Sequence, residues 1–428
     1  MSESTGGDGQ LGVGTLTLSS GENAPTTSRS LLGQRNFVVF WLGQTVSKLG
    51  NGAYQVALGW SVYQLTGSSA AMGVVLALNV LPQVIFALVG GAVADRLSRR
   101  RVIILSDSAA ALGVGILAGL AAADLLSLPI LMAAAVLLGT VSAFYGPAYA
   151  AMNRELLDQN EFRKANSFFS ASGSLARLVG PMLAAGAYAL GGAECVFAIN
   201  AASFAIAAAA MTATKTSRRS PTNPSQGVRR ELAGGWAYTR KTPWLVVIIA
   251  VSLVANILCL APYSVLLPAL VRLADGDIGT LSLLTTVEIA VVLLGALIIG
   301  RLRGIKAGTA LLLLASSLGL GALVLGTLGS HLAMLFIGVM LFGAGLSFDV
   351  VENTLLQNLV PEHLLSRVYS VNMAISYSLL PLGYAFSGLI AGHLGPAFVL
   401  TTGGTLMLLT CGCAALTPVI KRLDSVRC

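Results

Sequence analysis

Residues 91–101 read Gly91-Ala92-Val93-Ala94-Asp95-Arg96-Leu97-Ser98-Arg99-Arg100-Arg101, one acid and four arginines wedged between two long apolar runs. Residues 74–93 before this knot carry no formal charge, and residues 102–123 after it carry only Asp107. Each run is about as long as the roughly 20 residues a helix needs to cross a bilayer. A helix satisfies its backbone hydrogen bonds internally, so lipid tolerates it. Two such helices joined by a tight basic turn form a membrane hairpin whose turn lies in the cytoplasm.

The same reading extends along the chain, which is 55% hydrophobic and only 10% charged, far below the roughly 25% charged residues of a soluble domain. Apolar windows predict twelve spans, at 37–63, 71–94, 102–123, 129–152, 165–190, 193–213, 244–271, 278–300, 307–328, 331–351, 368–392 and 396–419. The runs are too continuous for barrel strands, which alternate over about 10 residues. The expected fold class is therefore an all-α membrane protein.

Charge placement supports this count. With both termini inside, 23 of the 26 lysines and arginines fall in cytoplasmic segments, seven of them between Lys215 and Lys241. Arg272 lies outside, and Lys48 and Arg177 lie within spans. The net charge of +8 thus reflects orientation. There is no basic globular domain on which nucleic acid would bind. Residues 1–35 are polar and without periodicity, which predicts a disordered cytoplasmic tail, and they lack the order of a cleavable signal. The five cysteines suggest no disulfide framework; Cys411 and Cys413 read as small packing residues.

A polar linker at 215–242 divides the spans into bundles at 36–214 and 243–420, with a short tail at 421–428. The bundles echo each other. A shift of 203 superimposes Leu156, Ser167, Ala171, Gly180 and Gly192 on Leu359, Ser370, Ala374, Gly383 and Gly395, and a shift of 205 pairs Asn51 with Asn256. Parallel repeats of this kind are typical of secondary transporters.

Gly91-x-x-x-Asp95-Arg96-x-x-Arg99-Arg100 resembles the loop signature of the major facilitator superfamily, with Ser98 where Gly is common. Ala176-x-x-x-Gly180-Pro181 looks like a softened antiporter motif of its drug exporters. Trp41-Leu-Gly-Gln-Thr-Val-Ser47, Gly50-Asn51, Tyr63-Gln-Leu-Thr-Gly-Ser68, Pro147-Ala148 and Ala165-Asn166 are similar to the branch of the enterobactin exporter and the macrolide efflux proteins. The resemblance covers residues 33–420. It implies the twelve-helix, two-bundle fold and efflux of an antibiotic, macrolide or siderophore. It also implies that Asp95 meets the start of the eleventh helix near Ser366–Arg367, a latch holding the halves together on the cytoplasmic side. Two departures stand out: Asn51 where many members have Asp, and Tyr149 where many have Arg.

Gly91 permits close helix approach, and Asp95 can pair with Arg96 or Arg99 or meet a helix N-terminus. Ionisable groups at mid-membrane depth are expensive and read as functional. Lys48, Arg177 and Glu288 qualify, each roughly 15–18 Å deep at 1.5 Å per residue. Glu288 is the carboxylate at that depth, so it is the candidate for proton coupling; an ion pair with Lys48 or Arg177 is the competing role. Asp107, Asp349 and Glu352 lie near cytoplasmic span ends, within reach of water, and read as gate candidates or plain interfacial charges. Trp60 near a span end reads as an interfacial anchor. With Asn51 and Asn256, the cations line a mostly apolar cavity suited to an amphipathic solute, and two cations against one acid are compatible with an anionic group on it.

No G-x-x-x-x-G-K-[ST] occurs, which disfavours an ATP-driven pump. A membrane-embedded enzyme would need a nucleophile with its base or a metal cluster, and His331, His363 and His393 are scattered. No metal or cofactor is expected. The reading is a proton-coupled secondary exporter of the cell membrane, working as a monomer on a small molecule, with an importer, a uniporter or a sensor as alternatives. Reporter fusions within 215–241 and at the C-terminus should read cytoplasmic and one after Gly67 external; termini on opposite sides would defeat the two-bundle arrangement.

Overall fold

The computed structural model describes residues 31–96, 98–157, 161–215, 228–301 and 306–424, with the side chains of all of these except 87–96, 154, 228–232 and 421. In the first half, α1 (Arg35–Thr66), α2 (Ser69–Arg96), α3 (Arg99–Ala122) and α4 (Leu128–Leu156) are followed by α5 (Phe162–Ala213). After α6 (Val228–Lys241) the second half begins with α7 (Pro243–Ala255) and α8 (Ala261–Leu273), joined by a π-helical turn at Asn256–Leu260. Then come α9 (Ile278–Arg301), α10 (Ala307–Leu328), α11 (Leu332–Leu346), α12 (Phe348–Leu359), α13 (Glu362–Ser378), α14 (Leu380–Leu416) and α15 (Pro418–Leu423).

Local chemistry sets several of these ends. Ser98 caps α3 by accepting from the Arg101 N–H, as a short hydroxyl side chain does at an N-terminus. Asp277 does the same for α9. The Thr280 N–H, 2.8 Å away, and the Thr280 hydroxyl both donate to its Oδ1. These bonds hold its carboxyl below the usual range.

Among the described residues, nine helical stretches are long and apolar enough to cross a membrane. Two of them, of 52 and 55 residues, are far too long for one passage. Both break at glycine. In α5, Gly191 and Gly192 leave helical geometry, and in α14 Gly395 does. Gly192 has φ +69° and Gly395 φ +84°, the left-handed region that a side chain disfavours. These two breaks sit 203 residues apart, the spacing read from the sequence repeat. The 32-residue α1 is not among the nine, because Gln44, Thr45, Ser47, Lys48, Asn51 and Gln55 dilute its middle.

The repeat is also visible in packing. A Cβ on Gly180 would lie 2.8 Å from the Gly52 Cα, so α1 and α5 touch backbone to backbone. Applying the shifts of 203 and 205 gives Gly383 and Ile257, and a Cβ on Gly383 would meet the Ile257 Cα at 3.6 Å. Small residues at helix crossings let dispersion replace the hydrophobic drive that lipid removes.

Three expectations are corrected. The tenth span does not end at 351: α12 carries it on to Leu359, because charges at Asp349 and Glu352 lower the hydropathy without stopping the helix. The linker is helical at Val228–Lys241, and α6 docks on α13, where a Cβ on Gly235 would lie 2.5 Å from the Arg367 carbonyl. Finally, α13 starts at Glu362, so Ser366 and Arg367 lie in its second turn and not at its N-terminus.

The two halves meet at one end. There α2 packs on α14, and a Cβ on Gly388 would lie 2.5 Å from the Ser69 carbonyl and 3.1 Å from the Gly73 Cα. Arg272 lies 5.5 Å over the Trp60 ring, a cation–π contact between halves; Trp60 is buried, not an interfacial anchor. One apolar core runs through both halves here, from Ala53, Val75 and Ala184 to Leu266, Leu281 and Ala391, and continues within the second half alone to Ala307 and Leu423. At the opposite end, where the linker enters, the first half has its own core around Phe37, Phe40, Met152 and Phe169. The second half has a separate one around Leu245, Leu356 and Val368. The structure is therefore sealed at the far end and divided at the linker end.

That seam can be tested covalently. A Cβ on Gly392 would sit 3.8 Å from the Ala70 Cβ, close to the mean Cβ–Cβ spacing of about 3.8 Å in disulfides. In a background without the native cysteines, Ala70→Cys with Gly392→Cys should cross-link on oxidation. The readout is a single gel band after the chain is cut between the halves, splitting in two on reduction.

Candidate functional site

The contact between Gly52 and Gly180 brings the middle of α1 against the middle of α5. Ala176 and Pro181 are buried beside Gly180, so Ala176-x-x-x-Gly180-Pro181 acts as a helix-packing surface. With those faces in contact, the next faces turn together towards a cavity of about 500 Å³. Lys48, Asn51 and Gln55 line it from α1, and Ser170, Ser174 and Arg177 line it from α5. Three residues the sequence singled out, Lys48, Asn51 and Arg177, thus converge on one wall. Asn256 does not join them. Its Nδ2 donates to the Ser376 carbonyl at 3.0 Å, within the second half.

Lys48 is held by groups that sequence reasoning did not connect to it. Its Nζ donates to the Tyr149 hydroxyl at 3.1 Å and lies 4.9 Å from the centre of that ring. The Phe169 ring adds a second face at 5.9 Å. Neither Lys48 nor Arg177 pairs with Glu288, so the ion-pair expectation for Glu288 is not met among the described residues. Glu288 instead accepts from the Tyr263 hydroxyl at 2.5 Å, and Tyr263 is stacked on Phe342 at 4.1 Å. Aromatic packing fixes the phenol, and the phenol fixes the carboxyl.

Asp107 and Glu352 are not at the water interface as the sequence reading had them. Asp107 is buried, and the Gln44 Nε2 donates to its Oδ2 at 3.2 Å while Tyr145 donates to Gln44. Glu352 is buried too, accepting from Ser252 at 3.0 Å and from Asn372 at 2.9 Å. Both carboxyls are thus satisfied by neutral donors, with no cation near them in the described structure. Asp349 alone of the three is exposed, ten residues before the end of α12 at Leu359. The reach of these groups was hidden in the sequence, since Ser252 lies 100 residues from Glu352.

At the linker end, Arg99 pairs with Glu155 at 2.7 Å, a partner the sequence did not flag. Arg100 donates to the carbonyls of Met211 and Thr212, tying α3 to the end of α5. The side chains of Asp95 and Arg96 and the surroundings of Gly91, which the latch expectation rests on, lie outside the described residues. The described residues hold no cluster that could bind a metal.

The family model of transmembrane secretion effectors matches residues 26–426, nearly the whole chain. This chain belongs to that family. It is a multi-pass membrane transporter of the major facilitator type and not an enzyme. It is 28% identical over 391 residues to the multidrug efflux pump Tap of Mycolicibacterium fortuitum, covering 88% of this chain and 94% of that one. With macrolide efflux protein A of Streptococcus pyogenes it shares 25% over 402 residues, covering 91% and 97%. Its fold is similar to a POT family transporter solved with 5-aminolevulinic acid, at TM-score 0.70, 13% identity and coverage of 91% and 98%.

In this transporter the Glu352 cluster gives a stability test. Glu352→Leu leaves the Ser252 and Asn372 donors buried and unpaired, at a cost of roughly 1–3 kcal/mol each. Glu352→Gln keeps an acceptor and should lose less. Denaturation of the purified protein in detergent reads the difference; equal losses would show that the hydrogen bonds contribute nothing.

Proposed function

We propose that this chain is a secondary active exporter, crossing the membrane twelve times with both termini in the cytoplasm. It moves an amphipathic natural product or drug outward by alternating access, driven by inward proton flow. The observation that carries the reading is the division of the core. The halves share one core at the far end, and no described core joins them at the linker end, with a polar cavity at mid-depth. That is the form of a carrier open to one side. The two long stretches folding back at Gly191–Gly192 and Gly395, together with α1, support the count of twelve. The basic linker end is the cytoplasmic one by charge. Outward transport rests on the relatives, whose names are those of efflux pumps.

Within this reading Glu288 is the coupling residue. It sits mid-span, half-buried, and its partner Tyr263 is a neutral donor, so gain or loss of a proton breaks no ion pair. Asn51 cannot change charge, and an arginine practically never does. Asp95 remains the proposed latch that closes the linker end in the opposite state. Because Arg99 is engaged by Glu155 and Arg100 by backbone carbonyls, Asp95 would act through α13 rather than through them.

Growth of an efflux-deficient host against a panel of toxic compounds, with and without this chain, tests export. Protection against none of them, with the protein present in the membrane, would defeat it. Coupling is tested in proteoliposomes. Glu288→Gln should abolish uphill efflux driven by a pH gradient while leaving counterflow, because the amide mimics the protonated acid. Retained uphill flux would move the role to another acid or to another ion.

A further inference from the structure

Lys48 and Arg177 share the cavity between α1 and α5, at a depth where an uncompensated charge is costly. A satisfied pair of cations there would be balanced by carboxylates, as Arg99 is by Glu155 at the linker end. No described carboxylate reaches either of them. Glu288 is held by Tyr263 on the other half, Asp107 by Gln44, and Glu352 by Ser252 and Asn372.

The donors are also idle. The Lys48 ammonium spends one N–H on the Tyr149 hydroxyl and rests against two aromatic faces. Arg177 has no hydrogen-bond or ion-pair partner among the described residues, and its side chain is exposed to the cavity. Asn51, Gln55, Ser170 and Ser174 surround the two with neutral polar groups. A neutral solute would be served by those amides and hydroxyls alone. The two cations add nothing for it. An acidic group would meet up to two charge-assisted donors at once, the stronger kind of hydrogen bond. The cavity, about 500 Å³, is of small-molecule size.

We propose that the transported molecule carries an acidic group, a carboxylate or an ionised phenol, seated between Lys48 and Arg177, with its apolar body directed into the cleft. This rests on the cavity being the substrate site, and it restricts the class of solute to amphipathic anions.

The experiment uses the full chain in lipid nanodiscs, with tryptophan fluorescence reading the binding of fusidate, mupirocin and nalidixate, each beside its methyl ester. The parent protein should bind acids more tightly than their esters by about tenfold, the range of one charge-assisted hydrogen bond. Lys48→Gln and Arg177→Gln should each bring that ratio towards one. Lys48→Arg, which keeps the charge, should retain the preference. A purely structural role would weaken acid and ester alike and leave the ratio unchanged, which would overturn the proposal. So would equal affinity of acids and esters in the parent, or binding of neither. If the parent protects cells from neutral or cationic drugs while showing no acid preference, the exporter reading stands and this inference alone fails. If it protects against nothing, the exporter reading itself fails.

Discussion

A backbone amide left unbonded in hydrocarbon costs several kcal/mol, and the architecture of this chain follows from that cost. Continuous helices answer it within the spans, and the breaks fall where glycine allows the chain to turn sharply, at Gly192 and Gly395. The same cost governs side chains. Glu288, Asp107 and Glu352 each find neutral donors rather than lysine or arginine. A carboxyl bonded by neutral donors can be stable in either protonation state without stranding a buried cation, whereas a buried ion pair locks its members.

The two halves keep one frame and have diverged in chemistry. The shift of 203 that aligns the glycine breaks also places Tyr149 over Glu352 and Phe169 over Asn372. In the first half those positions form an aromatic seat for Lys48. In the second they form a hydrogen-bonded acid. Repeat-related positions therefore support a cation in one half and a buried acid in the other. The two halves thus differ in the chemistry of a few corresponding sites, while both have a close helix crossing at corresponding positions, Gly180–Gly52 and Gly383–Ile257.

Much of this was legible in the sequence, for identifiable reasons. Long apolar runs cannot be anything but membrane helices, and arginine placement orients them. Lys48 and Arg177 announced themselves by depth. The end of the tenth span did not, because hydropathy counts Asp349 and Glu352 as polar without knowing that Ser252 and Asn372 will satisfy Glu352. Tyr263 was equally silent, and Tyr149 stood out only as a departure from the family, since a lone tyrosine in an apolar helix carries no sign of the group it will hold. Pairing across a bundle is set by helix rotation, which a single sequence does not print. Helix α6 was missed for a related reason: its apolar face has meaning only against α13.

The division of the core at the linker end has an electrical consequence. A cleft open to the aqueous phase carries little of the membrane potential, so nearly all of the voltage falls across the sealed far half. The field there is about twice what it would be over the full hydrocarbon thickness of roughly 30 Å. In the alternating-access cycle proposed above, Lys48 and Arg177 would cross from one side of the voltage drop to the other without moving within their own bundle. Each such charge is worth about 2.3 kcal/mol per 100 mV. On the proposed orientation, an inside-negative cell would hold the empty carrier with both cations joined to the cytoplasm, and a single anionic group bound between them would cancel half of the charge on which that hold acts.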